Sequence, residues 1–143
     1  MKKKSIFDVI NDNNIVIHID NILAFVLDLY EKLDSQDKVL RSYYGRAVTL
    51  YSTALCEICL SYFIAQRFPR LKSLSFEQLT SICFDLKLYD KQIFDLLTQM
   101  RKVRNMVHIG RMTKTKEFYS KKSAEKSVMV MLDIFEIVGE KLD

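Results

Sequence analysis

Between Lys38 and Phe68 the sequence contains no proline and one glycine, Gly45, and the chain's only proline, Pro69, follows at once. A stretch this long without a breaker predicts a single long helix that stops where the next backbone N–H is missing. Its second half is apolar nearly all round, which predicts that other helices surround it. The run from Ala47 to Ala65, AVTLYSTALCEICLSYFIA, is long enough to cross a bilayer, but Glu57 lies inside it. A carboxylate at mid-span costs about 2.5–3.5 kcal/mol on insertion scales, and Thr49, Ser52, Thr53 and Ser61 dilute the run further, so a central bundle helix is expected and no membrane.

The remaining periodicity is helical too. Ile15, Ile19, Ile22, Val26, Leu29 and Leu33 recur at intervals of three and four, which marks a first helix ending near Leu33, while residues 1–14 are polar and expected as a frayed end or a short helical turn. Asp34-Ser35-Gln36-Asp37 supplies a turn and a cap. Ser75, three residues before Gln78, has the form of a capping box and opens a short third helix to about Leu86. A fourth helix starts near Asp90, and Gly110 is a stop signal beyond it. Ser123, Ala124, Val128, Met131, Leu132, Phe135 and Val138 mark a fifth helix that runs to the C-terminus. With three glycines, no tryptophan and 49% hydrophobic residues in 143, the expectation is one all-α domain over residues 1–143, a bundle of about five helices around a long second one.

The chain opens Met1-Lys-Lys-Lys-Ser-Ile-Phe-Asp, and no apolar h-region develops, so a cytoplasmic protein with reduced thiols is expected. Cys56, Cys59 and Cys83 all lie in apolar surroundings. The Cys56-x-x-Cys59 pair has the spacing of half a zinc site, but no second pair follows, and buried core thiols are the reading. Neither a glycine-rich phosphate loop nor a pair of catalytic carboxylates is present, so no cofactor or metal is expected. His18, between Ile17 and Ile19, is assigned to packing or surface. Tyr43, Tyr44 and Tyr51, on the long helix, are assigned to the core.

Charge is unevenly spread. From Arg101 to Lys126 there are nine lysines and arginines against Glu117 and Glu125, a net of +7 in a chain of net +4, so the rest sums to −3. Either a solvated loop or a face for a polyanion explains such a segment. At its start stands RKVRNMVHIG, residues 101–110. On a helical wheel with Met100 at zero, Ile93, Leu96, Leu97, Val103 and Val107 fall within about 60° of it, and Arg104, His108 and Arg101 gather at one border, at about 40°, 80° and 100°. An imidazole that exchanges a proton near neutral pH, beside guanidiniums that grip a phosphate, is the minimum equipment for phosphodiester chemistry without a metal. An arginine paired to an acid on another helix and a histidine at a helix end are the structural alternative. Glu57, a lone acid in an apolar helix, needs a partner, and Arg104 is the cation pointing most nearly inward.

The string resembles the signature of HEPN domains, helical bundles in which an arginine, four to six residues and a histidine share one helix, often with asparagine after an arginine. Six residues separate Arg101 from His108, and Arg104-Asn105 matches in type. The long helix, from Arg46-Ala47-Val48-Thr49-Leu50-Tyr51 to Glu57, is similar to the family's second helix, where an acidic or polar residue faces the site. Two residues separate Asn105 from His108 where family members most often show three, and no tyrosine stands two residues after the histidine. Either Arg101 is the motif arginine, or the site has decayed.

The resemblance implies a metal-independent endoribonuclease of toxin or antiphage-defence type. His108 would be the general acid or base, Arg101 and Arg104 would hold the phosphate, Asn105 would orient it, and Glu57 would fix an arginine. Arg111, Lys114 and Lys116 would contact RNA. The expected partners are RNA, a second copy of the chain, and an antitoxin or regulatory protein. The other reading is a non-catalytic bundle, similar to mannitol-operon-repressor relatives, that binds a protein partner or regulates transcription.

Overall fold

The computed structural model describes residues 6–105 and 121–143. Every regular element among them is helical: α1 (Ile6–Val9), α2 (Asn13–Glu31) with a 3-10 turn at Lys32–Asp34, α3 (Lys38–Arg67), α4 (Phe76–Asp85), α5 (Lys91–Asn105) and α6 (Lys121–Lys141). That is one more α-helix than the periodicity predicts. The additional element, α1, lies in the stretch expected to be frayed or a single turn, and it is anchored because Ile6 and Ile10 are buried in the core.

The helix ends lie where the polar residues place them. Asp12 caps α2 by accepting from the Asn14 and Ile15 N–H groups, and Asp37 does the same for α3 at Val39 and Leu40, 2.9 and 3.2 Å away. Ser75 and Gln78 form the full capping box of α4. Asp90 accepts from the Ile93 N–H at 3.0 Å and starts α5. Each such cap satisfies donors that the first turn of a helix otherwise leaves open. At the other end of α4, the Leu88 N–H reaches the Cys83 carbonyl and the Lys87 N–H that of Phe84, with Lys87 at φ 59°. This is the double closure that usually places glycine in the left-handed position.

α3 is the axis of the bundle, packed by α2, α4, α5 and α6. α6 runs in the same direction along it: Lys121 at its start pairs with Asp34 just before α3, and Arg67 at the end of α3 donates to the Lys141 carbonyl at 2.6 Å. α2 runs the other way, with Lys32 over the Tyr44 ring at one end and the Asn11 N–H near the Tyr62 hydroxyl at the other. Val48, Leu55, Cys56, Cys59, Leu60 and Ile64 form the buried side of α3. Among the described residues α3 is the one helix long and apolar enough to cross a membrane, and over half of that apolar window is buried among the other helices, as befits a core helix.

α3 is not enclosed on every side. Tyr43 is 55% and Tyr51 40% exposed, and Tyr44 is half-buried, so the core assignment fails for the first two. Both lie on the side of α3 away from the buried residues, where Tyr51 meets Phe25 of α2 edge-on at 5.0 Å and Arg46 lies over the Tyr43 ring.

Candidate functional site

α3 and α4 converge on the end of α5. Its core side is Leu97, Met100 and Val103, all buried, with Ile93 and Leu96 half-covered, as the wheel predicts. This seating turns Arg104 toward α3, where its guanidinium donates to the Glu57 carboxylate. The same guanidinium lies 5.1 Å from the centroid of the Phe76 ring, which the first turn of α4 holds in the core. A flat cation is thus bonded at its edge by a carboxylate and covered on one face by an aromatic ring, the two contacts that best fix an arginine. Glu57 and Arg104 are each about a third exposed, so the pair is half-buried.

Arg101 behaves differently from its neighbour. Its Nη1 lies 3.3 Å from Glu77 Oε2, so it pairs with α4 and not with α3. The Arg101 side chain is also the better covered of the two, at 21% against 31% exposed, the reverse of the order on the wheel. A wheel measures the angle to the helix's own core side, whereas α4 lies across the turn that carries Arg101. The two arginines therefore meet two different acids. Asn105 is exposed at the last position of α5, and His108, Arg111, Lys114 and Lys116 lie outside the described residues.

Glu77 and Phe76 are the members of this cluster that sequence reading missed. Both follow the capping residue Ser75, where an acid in the first turn is already accounted for by the helix dipole, so nothing in the local pattern marked Glu77 as an arginine's partner. Glu57 also borders a groove of about 490 Å³ with Ile15, Ser61, Tyr62 and Ala65.

The cysteines, Tyr89 and His18 are not part of this cluster. His18 is exposed on α2. The three cysteines are free thiols with no exposure, and burial pushes Cys56 and Cys59 well up and Cys83 up to about 12. Tyr89 is raised by burial too, and its hydroxyl donates to the Thr80 carbonyl at 2.6 Å, locking the turn between α4 and α5. Among the described residues no three His, Cys, Asp or Glu side chains are grouped to hold a metal ion.

Comparison with protein-family models, with curated proteins and with solved structures finds no match to this chain. The functional reading therefore rests on the residues themselves.

Proposed function

We propose that this chain is a HEPN-like, metal-independent endoribonuclease of the cytoplasm, a toxin or antiphage-defence component that acts as a homodimer on RNA. The observation that carries the reading is the fixed guanidinium of Arg104. Glu57 and Phe76 take one edge and one face, and a guanidinium has five N–H donors, so further donors are left for a phosphate. A preset donor of this kind stabilises charge that develops on a phosphate without reorganising during the reaction.

In this mechanism His108 takes the proton of the 2′-hydroxyl or gives one to the leaving oxygen. Arg104 and Arg101 hold the scissile phosphate, Asn105 orients it, and Glu57 keeps Arg104 in place. Arg111, Lys114 and Lys116 bind phosphates beyond the cut. The test is cleavage of total RNA by the purified chain, with and without EDTA, and with His108→Ala. An imidazole in such a role contributes about 10²–10⁴-fold to rate.

One observation favours a second reading. Both arginines already have acid partners, Arg101 with Glu77 and Arg104 with Glu57, which is what a structural role for the pairs requires. Under it the chain is a non-catalytic bundle, similar to mannitol-operon-repressor relatives, that binds a protein partner or regulates transcription, and RNA survives incubation uncut.

A further inference from the structure

α5 and α6 run antiparallel, and toward the start of α5 they part to leave a groove of about 590 Å³. Its floor is apolar. Ile93 and Leu96 of α5 are half-buried there and Val130 of α6 is buried, while Met129 is 65% exposed. Leu132, one turn beyond Met129, is exposed as well. Large apolar side chains on a helix normally turn to the core, and α6 does bury Val128, Met131, Ile134, Phe135 and Val138 on its other side. Met129 and Leu132 are therefore an apolar surface additional to the one the fold uses.

The rim is acidic. Asp90, Asp95 and Asp133 stand around the floor. Asp90 commits an oxygen to the cap of α5, but Asp95 and Asp133 have no ion-pair partner among the described residues. Lys126 lines the groove at the end toward the start of α6, more than a helical turn from Asp133. The Asp133 carboxyl is raised above its ordinary value by desolvation and by the neighbouring charges of Glu136 and Asp90. Negative charge has accumulated here beside an apolar floor in a chain whose net charge is positive.

We infer that this groove is a docking site for a cationic amphipathic helix of a partner protein, with aliphatic residues on Ile93, Leu96 and Met129 and lysines or arginines at Asp95 and Asp133. Charge and polarity together select this occupant. RNA and anionic lipid surfaces are repelled by the rim, and a bare metal ion would answer the carboxylates but leave the apolar floor in water. A helix with an apolar face and basic flanks answers both, by the mode in which helices lie in grooves. The groove lies toward the opposite end of α5 from Arg104, so the inference stands whether or not the chain cuts RNA.

The probe is a short amidated peptide of leucine and lysine in helical register, with a glutamate-for-lysine version as control. Binding is read by fluorescence anisotropy and by methionine-methyl NMR on the full chain. The lysine peptide is expected to bind saturably and to shift the Met129 methyl signal, and the glutamate peptide to leave it unmoved. Asp95→Lys with Asp133→Lys should weaken binding about tenfold or more, and Met129→Ser, which removes the apolar contact without adding charge, should do the same from the floor. All three positions are exposed, so helicity by circular dichroism should be unchanged. No binding of the lysine peptide, shifts at other methionines only, or undiminished affinity in either variant would overturn the proposal.

Discussion

Arg104, between a carboxylate and an aromatic ring, is the residue on which the functional reading turns. Glu57 is half-buried, so its removal costs less than breaking a fully buried pair and more than losing a surface one. Glu57→Ala is expected to destabilise the fold by about 1–3 kcal/mol, lowering Tm in thermal unfolding followed by circular dichroism. The partner of Glu57 was legible because a lone acid in an apolar helix demands a cation, and few were within reach. The partner of Arg101 was not, because Glu77 looks like an ordinary acid in a first helical turn. Glu77 is mostly exposed and competes with any phosphate for Arg101. If Arg101 holds a phosphate as proposed, Arg101→Ala weakens RNA binding and makes log Kd against log salt shallower by about 0.7 for a single strand. An unchanged slope would mean that Arg101 does not meet the backbone.

At the scale of elements, the capping residues and breakers carried most of the information. Pro69 ends the long helix, and Asp37, Ser75 and Asp90 start helices where their side chains can accept the first free N–H groups. Less legible were α1, which is too short to show periodicity and is held by the burial of Ile6, and the bare side of α3. An apolar pattern tells that a face can be buried, not that a neighbour is present to bury it, which is why Tyr43 and Tyr51 were assigned to the core.

The α6 acid Asp133 gives a test of local electrostatics. Its raised carboxyl means that the folded chain holds this proton to a higher pH than the unfolded chain does. Stability therefore falls as pH rises through the interval between the ordinary and the raised value, and the penalty is complete at neutral pH. Asp133→Asn is expected to be more stable than the parent near pH 7, with the difference vanishing as the medium becomes acidic enough to protonate ordinary aspartates. A difference that persists in acid would place the effect outside this charge cluster. At the end of α4, Lys87→Gly relieves a left-handed backbone and is expected to be neutral or stabilising by up to about 1 kcal/mol in denaturant titration, where destabilisation would contradict the strain argument.

For the whole molecule, the helical class and the central place of α3 follow from the sequence because one breaker-free apolar helix of that length needs several others around it. What the chain acts on does not follow from the fold, since a helical bundle hosts many activities and the site must be argued from its side chains. The homodimer proposed above would bring α5 of each copy near the other, so that the two motifs share one cleft. Light scattering is expected to give twice the chain mass, and a monomer at every concentration would remove that mechanism while leaving the bundle intact.

In the proposed mechanism His108, with Arg101 and Arg104, cuts RNA without a metal. The most direct measurement is the rate of cleavage of total RNA in EDTA by the parent chain and by His108→Ala. The parent is expected to cut, and His108→Ala to cut about 10²-fold or more slowly with helicity and RNA binding retained. A parent chain that leaves every RNA intact, or a His108→Ala variant that cuts as fast, would contradict that mechanism.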